Sequence, residues 1–158
     1  MSRFCATAHG IEVILMGPEL ALLSRLGSLL SGAGVEKDDP AKARLTPTIY
    51  PEDAKASREF DRLAGRERVE ARSADREAFA RILGEAGEGK TILNPDEAAA
   101  AARVIGEARI VLAARRGLFE NGMPDQPVDD PEVAFVMFLG IIQEELVQEM
   151  LKTMEDAK

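Results

Sequence analysis

The sequence predicts an α+β fold, predominantly α-helical, with an N-terminal β-hairpin packed on a bundle of about four to five helices. Three observations carry this expectation. Near the C terminus, Val133 to Ile142 form ten successive residues without a polar side chain, and a helix apolar all round has to be enclosed. At the N terminus, apolar residues alternate on both sides of His9-Gly10, as in half-buried strands that flank a tight turn. Between these ends, apolar residues recur three and four apart in stretches opened by Pro or a capping residue. With 158 residues and 46% hydrophobic content, the chain can bury a substantial core, and residues 1–158 read as one domain with hairpin 3–16 and helical core 18–155.

The hairpin is expected to turn at His9-Gly10, which sets Phe4 opposite Leu15, Ala6 opposite Val13 and Ala8 opposite Ile11. These six share one face, while Cys5, Thr7, Glu12 and Ile14 make a mixed outer one. Gly17-Pro18-Glu19 opens the first helix, with Leu22, Leu23, Leu26, Leu29 and Leu30 as its buried stripe and Gly32 and Gly34 at its end. Asp39-Pro40 starts a short helical turn through Leu45, and Tyr50-Pro51-Glu52-Asp53 starts a full helix that carries Ala56, Phe60 and Leu63 on one side.

From Arg66 to Leu83 the chain is mainly charged, anchored by Val69, Phe79, Ile82 and Leu83. Arg58, Arg62, Arg66, Arg68, Arg72, Arg76 and Arg81 interleave at helical spacing with Glu59, Asp61, Glu67, Glu70, Asp75 and Glu77, the pattern of a solvated face laced with ion pairs. Gly84 to Lys90 is expected to be a loop and Thr91 to Leu93 a short strand against the hairpin. Asn94-Pro95-Asp96-Glu97 is a capping box with Pro at its first helical position, and Ala98, Ala101, Ile105, Ala108 and Leu112 line the helix it opens, beside Val104 and Val111. Arg115 and Arg116 suit the negative end of that helix, and Gly117 its C′ position. A Pro-rich linker, Asn121 to Asp129, precedes the last helix, which Asp130-Pro131 begins.

A net charge of -8 disfavours a domain-wide attraction to nucleic acid, and the lack of Trp with a single Tyr leaves few stacking platforms. The apolar run is far shorter than the roughly 20 residues that cross a bilayer, so no membrane association is expected. Cys5 has no partner for a disulfide and no basic, apolar leader is read, so the expected compartment is the cytoplasm.

Gly84-Glu85-Ala86-Gly87-Glu88-Gly89-Lys90-Thr91 fits the phosphate-loop pattern in the wrong context. A helix precedes it, Ile92-Leu93-Asn94-Pro95 follows, and two glutamates would face the phosphates, so no nucleotide is expected. His9 is accounted for by turn chemistry and Cys5 by packing. Asp125, Asp129 and Asp130 are too few for a calcium loop, and neither a metal nor another cofactor is expected. Arg109 is the informative residue. It lies between Ile105 and Leu112 on a helix expected to face the C-terminal one, and a partly buried guanidinium needs an anion. Glu144 or Glu145 is the expected structural partner; alternatively, Arg109 and Arg115 receive an anionic ligand.

Several stretches together resemble an uncharacterised, mainly actinobacterial family, catalogued as domain of unknown function number twenty-seventeen. They are the hairpin and leucine-rich helix, Asp39-Pro40 with Ala43-Arg44-Leu45, Pro47 and Tyr50, Glu59-Phe60 with Arg62-Leu63, Arg109-Ile110-Val111-Leu112 with Arg115 and Gly117, and Leu139-Gly140 with Gln143-Glu144 and Leu146. Asp61, Gly106 and Arg116 depart from the family pattern. The resemblance implies no activity and no catalytic residue; members often lie beside the N-end-rule adaptor of the Clp protease, and some carry the label of transcriptional regulator.

These readings converge on a non-enzymatic cytoplasmic interaction or regulatory protein, with another protein or a second copy as partner. The alternative is a transcriptional regulator that binds nucleic acid through its arginine-rich helices. An enzyme built on carboxylates and arginines would need a deep polar pocket around Arg109 and Glu144.

Overall fold

A computed structural model describes residues 2–118 and 129–158. The fold is α+β and predominantly helical, with a three-stranded antiparallel sheet in the order β1 (Phe4–Thr7), β2 (Gly10–Val13) and β3 (Thr91–Leu93). The helices are α1 (Gly17–Ser24), α2 (Leu26–Leu30), α3 (Ala41–Leu45), α4 (Ala54–Glu88), α5 (Pro95–Arg115) and α6 (Pro131–Asp156). The expected Pro-rich linker around Pro124 and Pro127, with Asp125, lies outside the described residues apart from its last residue, Asp129.

The hairpin forms, but one residue earlier than expected. Ala8-His9 is the two-residue turn, so Phe4 pairs with Val13, Cys5 with Glu12 and Ala6 with Ile11. The Thr7 hydroxyl decides this by donating to the Gly10 carbonyl at 2.9 Å and accepting from the His9 N–H at 3.2 Å. Because moving the turn by one residue shifts the pairing by two, each side chain keeps its face. Phe4, Ile11 and Val13 are buried, whereas Cys5 is exposed on the outer face and is not part of the packing.

The expected first helix is two. At Arg25 the N–H bonds to the Leu22 carbonyl three residues back, a tightened turn that separates α1 from α2 while Leu23, Leu26 and Leu30 stay buried. In α4, Asp53 caps the start by accepting from the Ala56 N–H at 3.0 Å. The helix then runs through the expected loop as far as Glu88. Gly84 and Gly87 are helical, and the bare backbone at Gly87 admits Leu20, whose Cδ2 would lie 3.2 Å from a Cβ there. At about 52 Å, α4 is far longer than β3, the strand it packs on. Its second half supplies the buried Phe79, Ile82 and Leu83, while Val69, expected as an anchor, and Leu63, expected on one side with Ala56 and Phe60, are exposed. The expected ion pairs line it: Arg62 with Glu59 at 2.6 Å, Arg66 with Glu70 at 3.0 Å and Arg68 with Asp61 at 3.1 Å.

Helix α5 forms as its capping box dictates. Asn94 accepts from the Glu97 N–H and Glu97 from the Asn94 N–H, both at 2.9 Å. Its expected stripe is buried throughout, and Gly117 ends it at φ +62°.

Helix α6 departs most from expectation. Within the single chain Val133–Ile142 is not enclosed on all sides: α6 lies against α5 on one side and against β1 and β2 on another, and its third side faces outward. Val136, Leu139, Ile142 and Leu146 are buried, but Met137 is 51% exposed and Ile141 55%. Phe135 and Phe138, stacked with centroids 6.4 Å apart, are sheltered by Arg25 and Arg3, whose guanidiniums lie over them at 5.7 and 5.6 Å.

Candidate functional site

The structure separates the residues expected to form one site. Glu145 faces the sheet: its carboxylate accepts from the Arg3 guanidinium at 2.7 Å and from the Arg3 N–H at 3.1 Å. One turn on, buried Glu149 accepts from the Ala6 N–H at 2.8 Å, so α6 covers the free edge of β1 with two carboxylates. Glu144 points outward and accepts from the Gln148 amide at 2.8 Å.

Arg109 is exposed and meets neither glutamate. Its guanidinium lies over Gly140 and donates to the Gln143 Oε1 at 2.9 Å. The reason is rotational, since Glu145 is about 140° around the helix from Gly140. Gln143 in turn donates to the Ala102 carbonyl at 3.0 Å and fills the space over Gly106, where a Cβ would sit 2.7 Å from its Nε2. The bare backbone at Gly106 is therefore what lets the Gln143 side chain of α6 lie against α5.

Arg115 also has a partner that spacing did not reveal. It donates to Asp39 at 2.9 Å and to the Leu29 carbonyl at 3.1 Å. Asp39 accepts further from the N–H groups of Gly34 and Ala41 at 3.1 and 3.0 Å. This charged set ties the segment before α3 to the end of α5. The Arg115 guanidinium first, then the two N–H groups, hold the Asp39 carboxyl far below the usual carboxylate range. Glu19, mainly through the Met16 N–H, and Glu149, mainly through Lys152, are lowered as well. A carboxylate whose pKa is lower folded than unfolded stabilises the fold above its unfolded value, about 4, and that stabilisation is lost as pH falls through the folded value. The expected result for Asp39→Asn is a loss of about 1 kcal/mol at neutral pH, allowing for the screening of Arg115. Urea midpoints taken from pH 7 downward should show the gap from wild type closing below about pH 4; a pH-independent gap would remove Asp39 from this role.

A cleft of about 370 Å³ opens between α5 and α6, lined by Arg44, Arg109, Ile110, Val136 and Gln143 among others. Among the described residues that line it there is no carboxylate, histidine, cysteine or hydroxyl. It can hold an anion but has no group to accept or deliver a proton near neutral pH. Arg109 lines this cleft and Glu144 does not. A second cleft, about 340 Å³ and mostly apolar, lies between α1–α2 and α4 along Leu20, Leu23, Phe79 and Leu83. Among the described residues there is no group of three His, Cys, Asp or Glu placed to hold a metal ion, and no helix long and apolar enough to cross a membrane.

What remains is the outer side of α6. Met137, Ile141, Glu144, Gln148, Leu151 and Glu155 follow one another at alternating steps of four and three residues, with Val147 and Met154 beside them. Leu151 is 54% exposed and Met154 65%, and Ile110 of α5 is also exposed. The sequence placed Met137 and Ile141 in an enclosed run, because composition does not say which side of an apolar helix lacks a neighbour; past Ile142, where polar residues alternate with the apolar stripe, a half-exposed helix is what the spacing predicts.

No curated protein and no solved structure matches the chain. One family model does, across residues 1–150, from β1 through most of α6. On that match over nearly its whole length, the chain belongs to the family described as Domain of unknown function (DUF2017).

Proposed function

We propose that this chain is a non-enzymatic interaction or regulatory protein of the cytoplasm, and that the outer side of α6 is the surface with which it docks on a helical protein partner. The observation that carries this is the row of half-exposed apolar residues, Met137, Ile141 and Leu151, on a helix whose other sides are packed. Apolar area left in a row on a fixed element, rather than scattered, marks an interaction site. A regulatory role beside Clp-adaptor proteolysis, which the family resemblance implies, would use such a surface. No nucleotide is taken at Gly84–Thr91, since Gly84 to Glu88 are spent in the last turns of α4.

The reading of the arginine-rich helix as a nucleic-acid interface has less support. Arg62, Arg66, Arg68, Arg76 and Arg81 each face a carboxylate of this chain, which leaves them little charge to offer phosphates.

A photoreactive residue tests the proposal. Placed at Ile141 in the full chain within the producing cell, it should give a discrete cross-linked species on illumination. Placed at Val69, slightly more exposed on α4, it should give none. No species from Ile141, or the same smear from both positions, would remove α6 as a docking surface.

A further inference from the structure

We infer that the occupant of this surface is a second copy of the chain, lying antiparallel about a two-fold axis that passes near Leu146 and Val147. The inference rests on the reading of α6 as a docking surface and adds the identity of the partner and its register.

The stripe has the spacing of a two-helix seam, four and three residues alternating from Met137 to Glu155 over about 27 Å. Two copies of such a seam can run parallel or antiparallel, and the polar residues in it decide between them. In the parallel arrangement each position meets itself, which sets Glu144 against Glu144 and Glu155 against Glu155, like charges in a desolvated seam. In the antiparallel arrangement centred on position 146, the pairs are Ile141 with Leu151, Glu144 with Gln148 and Met137 with Glu155, each made twice. The apolar layer meets an apolar layer, and the Gln148 amide, which donates within its own helix to Glu144, can donate to the partner's carboxylate instead.

The flank agrees with this register. Val147, 38% exposed, falls beside the axis opposite its own copy, and Met154 falls opposite Gly140, near the exposed Ile110. A two-fold contact is isologous, so a single self-complementary stripe suffices to close it into a dimer. The side of α6 that one copy leaves open is the side the second copy covers, which restores the enclosure that the apolar run calls for.

Three measurements on the full chain test this. Light scattering through a micromolar concentration series should approach twice 17.1 kDa, and Ile141→Asp should weaken the association roughly 30-fold or more with unchanged far-ultraviolet dichroism. For the register, in a Cys5→Ser background, Val147→Cys should cross-link to itself on mild oxidation. Ile141→Cys should do so only when mixed with Leu151→Cys. Cross-linking of Ile141→Cys alone would overturn the antiparallel register. A monomer at every concentration would overturn the dimer, and the photoreactive residue at Ile141 would then separate the two proposals: a species of foreign mass keeps the docking surface without self-association, and no species removes both.

Discussion

Gly10→Ala should cost roughly 3 kcal/mol of stability, a large part of what a domain of this size has to lose. Two independent effects add at this position. The backbone sits at φ +136°, a conformation that any residue with a Cβ adopts under strain of about 1–3 kcal/mol. A Cβ built there would also lie 2.3 Å from the Leu93 carbonyl oxygen and 2.9 Å from Ile92, so β2 and β3 would have to separate where Ile11 pairs with Leu93. The same exchange at Gly65, inside α4 with nothing within 4 Å of its added methyl, should instead raise stability by roughly 0.5–1 kcal/mol, because a helix-interior glycine carries only an entropic cost. Urea unfolding of both variants checks the pair. If Gly10→Ala unfolds within the error of wild type, the close approach of β2 to β3 is not a feature of the protein.

Gly10 also shows what could and could not be read before the structure. The hairpin itself was legible, since alternating apolar residues around a glycine have few other uses. The turn was not, because a threonine hydroxyl at the end of β1 outweighed the His-Gly pair that looked like the turn. Caps were read well for the same reason that they are local: Asn94 with Glu97, and Asp130, whose side chain accepts from the Glu132 N–H at 2.9 Å, need only residues two or three apart. The end of α4 was misread because two glycines and two glutamates look like a loop, yet in a long helix each glycine costs only about 1 kcal/mol, and Gly87 makes the room that Leu20 fills. The partners of Arg109 and Arg115 lay beyond sequence reasoning altogether. Which carboxylate a helix-borne arginine meets depends on how two helices are rotated against each other, and a rotation that turns Glu145 to the sheet leaves Arg109 with an amide. On the candidate docking side of α6, Met137 and Ile141 were read as enclosed while the second half of the helix was read as half-exposed, since an unbroken apolar run reports what a residue is and not what stands opposite it.

A pair that joins two helices was missed for the same reason, and its removal should rival Gly10 in effect. Arg76 of α4 bonds to Glu107 of α5, a carboxylate only 9% exposed, while the neighbouring Arg103 holds Asp75 by two bonds at 2.7 and 2.8 Å. Glu107 stands among Val104, Ala108 and Val111, where its charge has little water to solvate it. Glu107→Ala should therefore lower stability by about 2–4 kcal/mol: it leaves the guanidinium of Arg76, whose side chain is about three-quarters buried, without its anion. Arg76→Met alone should cost a similar amount by stranding the carboxylate. Because the expense lies in the orphaned charge rather than in losing the bond, the double variant Arg76→Met with Glu107→Leu should recover most of the loss, and the double-mutant cycle should give a coupling of roughly 2 kcal/mol or more. Additive losses in that cycle would mean that the two side chains do not depend on each other. They would then leave α4 and α5 joined by apolar packing and by the Arg103–Asp75 and Arg81–Glu97 pairs, each of which, with its arginine exposed, adds less than about 1 kcal/mol.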